Sequence, residues 1–272
     1  MPRGGAQGGF DMVAVQLRES TKRAAGWAIS RAVPRYRFTN CLFILAHMRC
    51  GSTALANILC SRPDVSGYGE SHVRHDGRDA LGRLALNQMR RGGWKPGAGF
   101  LFDKVLHDRH DDAVPADFFD SRAIFVIRRP EEAIRSIVSL FQRLDRDEYT
   151  TLDEGADYYA MRLARLEQLW ARYPQHRRVG ITHDVLMGDP EGALRRISDR
   201  LNIAPVLENR YVSLAASRRG GGGDPFASGL HGRIEPGLAR APEYMAPLDL
   251  SPRRQAIVAE RYERLRAAFL LG

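Results

Sequence analysis

An α/β fold, with helices on the faces of a central parallel sheet, is predicted for this chain by three observations. The run Cys41-Leu-Phe-Ile-Leu-Ala46 is apolar and uncharged throughout, as in a strand buried on both faces. A second such run, Ala123-Ile-Phe-Val-Ile127, has the same character, and helical patterns lie between and beyond them. The length, 272 residues, suffices for one sizeable core and does not demand two domains.

Composition narrows the function classes. A hydrophobic fraction of 44% and a charged fraction of 27% are those of a globular protein. Lys+Arg 41 against Asp+Glu 32 leaves a formal charge of +9, which favours anionic ligands. Cys41, Cys50 and Cys60 share one short unit without zinc-finger spacing and read as reduced thiols. No apolar run is long enough to span a bilayer, and the first residues lack a signal-peptide hydrophobic region, so the expected compartment is the cytoplasm.

In chain order, residues 1–10 are glycine-rich and expected to be flexible. Met12 to Val33 reads as a helix with Val13, Leu17, Ala24, Trp27 and Ala28 on its apolar face, ended by Pro34. Its basic residues Arg18, Lys22, Arg23 and Arg31 allow peripheral membrane contact, although packing on its own domain is the simpler expectation. Residues 1–37 are therefore set apart as an arm and helix, and 38–272 as the main domain.

The strand 41–46 runs into His47-Met-Arg-Cys-Gly51 and then a helix from Ser52. A strand, a tight glycine-containing loop and a helix start gather free backbone N–H groups at the positive end of a helix dipole, which makes an anion site. Arg49 adds a full charge, and Ser52 and Thr53 add hydroxyl donors. No lysine stands between Gly51 and Ser52, as a Walker A loop requires. The sixth residue after Cys50 is Ala56, where a cysteine-based phosphatase loop needs arginine.

Residues 61–72 form a loop, around a short strand at most, that carries Glu70 and His72. Asp79 to Arg91 is a helix with Ala80, Leu84 and Met89 among its apolar positions, and Phe100 to His107 is a core strand with Lys104 near its end. His107 and His110 are three apart, as are His72 and His75, and carboxylates stand close by. No cysteine falls near them, so a solvated polar turn is expected rather than a metal site. The strand 123–127 ends at Arg128; Pro130 suits the first turn of the next helix, Glu131 and Glu132 its positive end, and Ser136 follows. This junction is a candidate for a second anion. Asp153 to Tyr173 is a long helix facing the core with Tyr159, Leu163, Leu166 and Trp170. Arg178 to Thr182 is a strand, and Pro190 to Leu201 is a helix with Asp189 as N-cap. Ser217-Arg-Arg-Gly-Gly-Gly-Gly-Asp-Pro225 is either a linker or a backbone able to close on a phosphate. Ser251 to Leu271 is a terminal helix with Ile257, Tyr262, Leu265 and Phe269 inward.

Taken together, these segments resemble the sulfotransferases that use 3′-phosphoadenosine 5′-phosphosulfate (PAPS). That family's phosphosulfate loop, roughly [KR]SG[ST][ST], is matched by Arg49-Cys50-Gly51-Ser52-Thr53, with Cys50 in place of serine. Its 3′-phosphate motif is matched in order and spacing by Arg128, Pro130 and Ser136. Arg218-Arg-Gly-Gly-Gly-Gly-Asp224 is similar to RKGxxGDW of the cytosolic members, with Pro225 where tryptophan stands, and His183 to Pro190 loosely resembles YEDLxxDP. The resemblance implies a three-layer, P-loop-NTPase-like fold and sulfuryl transfer from PAPS, without metal. In that scheme Arg49, Cys50, Gly51, Ser52 and Thr53 hold the phosphosulfate, and Arg128, Ser136, Arg218, Arg219 and Gly220 the 3′-phosphate. The implied base is Glu70, as in carbohydrate-acting and several bacterial members, with His107 the counterpart of the histidine of phenol- and steroid-acting members and His72 a further candidate. By the same analogy the acceptor is a small molecule, or a hydroxyl on a glycan or glycolipid. Two other classes compete. A nucleotide kinase or NTPase conflicts with the missing Walker lysine. A nucleic-acid binder conflicts with an aromatic fraction of 8% and scattered arginines, and nucleic acid is not expected as a partner.

Overall fold

The computed structural model describes residues 7–213, 231–236 and 246–271, with side chains from residue 20 onward. Five strands, β1 (Cys41–Ala46), β2 (Val65–Ser66), β3 (Phe100–Val105), β4 (Arg122–Ile127) and β5 (Arg178–Thr182), form one sheet in the order β2-β3-β1-β4-β5. Every pairing is parallel. All six residues of β1 are buried, which is what an uninterrupted apolar run requires of a central parallel strand. Its odd-numbered residues join one core and its even-numbered residues the other, because side chains alternate across a strand.

Helices cover both faces. The core on one side takes Leu81, Leu84 and Ala85 from α3 (Asp79–Arg90), and Tyr159, Leu163 and Leu166 from α5 (Leu152–Arg172). The other core takes Leu55, Ile58 and Leu59 from α2 (Ser52–Ser61), and Leu194, Ile197 and Leu201 from α7 (Pro190–Leu201). The three-layer α/β architecture is thus present. β1 connects onward toward β2, and its neighbour β4 connects toward β5, in opposite directions across the sheet. Ligand crevices in open α/β sheets lie beyond the carboxyl ends of such a pair.

Local signals account for the element ends. Thr151 and Glu154 form a reciprocal capping box at the start of α5. Asp189 accepts the Gly192 N–H at 2.9 Å ahead of Pro190, as its N-cap position predicts. A short helix, α6 (His183–Gly188), follows β5 directly and was not expected; the Thr182 hydroxyl caps it. The terminal helix, α8 (Pro252–Leu271), buries Val258, Tyr262, Leu265 and Phe269, whereas Ile257 is 37% exposed. The inward stripe therefore starts one residue later than expected, on a regular helical spacing. In α3, likewise, Leu81 and Gln88 are buried and Met89 is exposed.

The first helix, α1 (Gln7–Ala32), starts before the expected Met12 and packs differently from its apolar pattern. Trp27 is 50% exposed and lies under the Arg31 guanidinium, and Ala24 and Ala28 are exposed. The packed face instead runs through Gly26 and Ser30. A Cβ on Gly82 of α3 would come within 1.9 Å of the Gly26 carbonyl oxygen. This is a backbone-to-backbone crossing, which a count of apolar side chains does not register. Arg78 holds the crossing by donating to the Ser30 and Tyr36 carbonyls at 3.0 and 3.2 Å.

Candidate active site

The loop between β1 and α2 is shaped by two left-handed residues, Arg49 at φ 63° and Gly51 at φ 87°. At Gly51 this conformation favours glycine, and a Cβ there would stand 3.0 Å from Cδ2 of His183. The buried His47 ring braces the loop from below. Its Nδ1–H donates to the Met48 carbonyl at 2.7 Å, and its Nε2 accepts the Arg128 N–H at 2.9 Å. Burial lowers the His47 pKa to about 3, with Arg128 and Arg162 adding to the effect, so the ring is neutral and the two nitrogens divide these roles. Ser52 and Thr53 then open α2, with their hydroxyls beside its positive end.

The ends of β1 and β4 meet here. Arg128 Nη1 donates to the Arg49 carbonyl at 2.9 Å, and Arg49 Nε donates to Ser136 Oγ at 2.9 Å. Arg128 Nε is held at 2.8 Å by the carboxylate of Glu132, which is 1% exposed and one turn into α4 (Pro130–Arg143). Arg49, which lies far from Arg128 and Ser136 in sequence, therefore forms one cluster with them on the same edge of the sheet as Gly51. Arg49, Gly51, Ser52, Thr53 and Arg128 line a single cleft of about 300 Å³.

Glu70 lines the same cleft. Its carboxylate is 3.2 Å from Lys104 Nζ, which in turn donates to Thr53 Oγ1 at 3.2 Å. The Glu70 loop is fixed by a residue that reading the sequence passed over, Asp103, in the middle of β3. Asp103 is 1% exposed and accepts from the Ser71 N–H (2.9 Å), the Ser71 hydroxyl (2.6 Å) and the Lys104 N–H (2.9 Å). It also meets His75 Nε2 at 2.8 Å. An acid in an otherwise buried strand was the signal: burial demands partners for it, and the adjacent loop supplies them.

Other sequence-derived candidates fall outside the cleft lining. The Cys50 side chain is fully buried beneath the loop, and burial pushes its thiol pKa up. The His107 ring packs on Tyr158 at 5.4 Å and is not among the cleft-lining residues, and burial lowers its pKa to about 3. His72 is exposed and sits 5.7 Å from the ring of His110. Arg218, Arg219 and Gly220 lie outside the described residues. Among the described residues, the group whose potential ligand atoms lie within 4.8 Å of one another is Glu132, His183 and Asp184, not the histidines of 72–110. Two of these three are carboxylates already held by arginines, Glu132 by Arg128 and Asp184 by Arg129 at 2.7 Å.

A turn of α5 secures all three strand ends. The Tyr158 hydroxyl accepts the Met48 N–H at 2.9 Å and donates to the Leu106 carbonyl at 2.8 Å, while that of Tyr159 donates to the Arg128 carbonyl at 2.7 Å. Arg162, 1% exposed, donates to the Ala46 and Val105 carbonyls at 2.9 Å each and pairs with Asp108 and Asp111 at 2.8 Å. An arginine on the core-facing side of an amphipathic helix was the overlooked signal here.

Fold and site thus define an α/β protein with an anion cradle at the carboxyl edge of its sheet. Residues 95–206 match the model described as "Sulfotransferase family"; the segment runs from before β3 to just beyond α7 and includes Lys104, Arg128 and Ser136. By structure, the chain resembles the sulfotransferase domain from the curacin biosynthetic pathway (18% identity, TM-score 0.51, covering 80% of this chain and 96% of that one). It also resembles the sulfotransferase domain of the Synechococcus PCC 7002 olefin synthase (19% identity, TM-score 0.54, covering 82% and 94%). At these identities the likeness is one of fold. No curated protein matches the chain by sequence. Residues 95–206 thus resemble the sulfotransferase family, and the fold is that of the sulfotransferase domains. Among the described residues, no helix is long and apolar enough to cross a membrane.

Proposed function

We propose that the cleft moves a sulfuryl group from PAPS to an acceptor hydroxyl, with Glu70 as the general base. One observation carries this reading: the Glu70 carboxylate reaches, through Lys104, the Thr53 hydroxyl at the start of α2, in the cleft that Arg49 and Arg128 also line. A base, a cation and an anion cradle thus share one space. The donor set suits a nucleotide with phosphates at both ends. Helix-start N–H groups, Arg49, Ser52 and Thr53 form one anion position, and Arg128 with Ser136 forms another.

When bound, PAPS supplies the sulfuryl group, whose bond to the 5′-phosphate oxygen breaks as the acceptor oxygen bonds to sulfur. Glu70 takes the acceptor's hydroxyl proton. Lys104 holds Glu70 in place and sets positive charge beside Thr53, while Arg49 and the start of α2 stabilise the electron pair that stays on the phosphate oxygen. The acceptor we propose is a hydroxyl on a carbohydrate or glycolipid, by analogy with family members that use a carboxylate base.

Calorimetry with adenosine 3′,5′-bisphosphate against AMP tests the donor half. The bisphosphate is expected to bind at least tenfold more tightly, and equal affinities would remove Arg128 from the site. Glu70→Gln tests the chemistry: transfer is lost while bisphosphate affinity stays within about twofold. Retained turnover in that variant would take the base role from Glu70.

A further inference from the structure

One face of α2 carries Thr53, Asn57 and Ser61, one helical turn apart. Both ends of the stripe are partnered. Thr53 accepts from Lys104, and Ser61 Oγ accepts the Val212 N–H at 2.9 Å while donating to the Asn57 carbonyl at 2.7 Å. The middle residue differs. Asn57 is 1% exposed, lines the cleft, and its Nδ2 has no hydrogen-bond partner among the described residues.

The surroundings make this a built position. Segment 209–213 is tied to 231–236 by Tyr211 N–H to the Gly232 carbonyl (2.7 Å) and by Asn209, which accepts the Ile234 N–H (2.7 Å) and donates to the Ile234 carbonyl (2.9 Å). Tyr211 and Ile234 of this strap line the cleft along with Asn57. A buried amide donor left unmatched against such a wall is costly in the ligand-free protein, and such groups are uncommon in native structures. A ligand oxygen is the partner that removes the cost.

Resting on the sulfuryl-transfer reading, we propose that Asn57 recognises the acceptor: its Nδ2 donates to a second oxygen of that molecule, beyond the hydroxyl that reacts. Asn57 shares the helix face of Thr53, and Thr53 is joined to Glu70 through Lys104. Its donor therefore lies on the side of the cleft that holds the base, about 6 Å along the helix from Thr53. The 3′-phosphate candidates Arg128 and Ser136 are joined to each other through Arg49. The acceptor class that follows is a polyoxygenated molecule, such as a diol or hydroxy-carbonyl compound, rather than a monofunctional alcohol or phenol. A site that pairs its buried donor with a substrate oxygen discriminates against analogues lacking that oxygen.

The test compares cyclohexanol with cyclohexane-1,2-diol and cyclohexane-1,3-diol as acceptors, in wild type, Asn57→Ala and Asn57→Leu. Wild type is expected to prefer one diol in kcat/KM by about tenfold, the worth of one hydrogen bond of about 1.4 kcal/mol. Both variants should lose that preference while keeping cyclohexanol turnover and bisphosphate affinity within about twofold. Asn57→Leu should also hold or raise the Tm of the ligand-free protein, because it removes an unmatched donor without leaving a void. Absence of a diol preference in wild type overturns the proposal. So does a Tm loss of several degrees in Asn57→Leu, or a tenfold loss of bisphosphate affinity with the diol preference intact, which would move Asn57 to the nucleotide side. Failure of wild type to bind the bisphosphate at all would instead refute the sulfuryl-transfer reading on which the proposal rests.

Discussion

Replacing Tyr158 by phenylalanine removes one oxygen that serves two strand-end loops. Its hydroxyl is buried, accepts the Met48 N–H at 2.9 Å and donates to the Leu106 carbonyl at 2.8 Å. Burial pushes the tyrosine pKa up, so the donor proton stays in place at neutral pH. Without it, two buried backbone groups lose a partner at about 1–3 kcal/mol each, or about 4 kcal/mol together. In a chain of this size each kcal/mol moves Tm by about 2–4 °C, so a fall of about 10 °C is expected by calorimetry. Met48 immediately precedes Arg49, and its freed N–H loosens the anion loop, so bisphosphate affinity should fall about tenfold. Tyr159→Phe is the internal control. It loses only the bond to the Arg128 carbonyl and should cost about half as much stability. A Tyr158→Phe protein with Tm within 2 °C of wild type and unchanged affinity would refute the claim that this turn of α5 holds the loop.

Two further outcomes follow from the site. Gly51→Ala forces a Cβ into a left-handed residue and to 3.0 Å from His183, and should destabilise the protein by about 1–2 kcal/mol and weaken bisphosphate binding, both read in one titrated thermal melt. Acid sensitivity follows from the histidines. His47 and His183, both buried, are lowered by that burial from 6.5 to about 3, so between those values the unfolded chain binds more protons and stability falls as pH drops. Each contributes about 2 kcal/mol of loss between pH 7 and pH 5, to be read as a falling urea midpoint; a midpoint flat over that range contradicts neutral burial of these rings.

What the sequence disclosed follows from the kind of force involved. The strand ends bearing Arg49 and Arg128 were legible because apolar runs and the residues that stop them are local signals. So were Asp189 as a cap and the inward stripe of α5. The Glu70–Lys104 contact was half visible: both residues stood out, but only the parallel pairing of β2 with β3 brings them together. Asp103 and Arg162 were missed because their partners come from distant loops, and an isolated charge in an apolar context gives no hint of which carbonyls or amides it will meet. α1 was misread for the opposite reason, since its contact is made by residues with almost no side chain at all.

That contact sets a limit on how the chain can be altered. With the Gly82 Cα hydrogens facing the Gly26 carbonyl, any heavier residue at position 82 acts as a wedge, and the amino-terminal helix must swing away to admit it. Arg78 would then lose the Ser30 and Tyr36 carbonyls together, detaching the lead-in to β1 from the body of the protein. Tags and fusions are therefore best confined to the chain ahead of this keyed joint, and trimming past it would strip from α3 the helix packed against it.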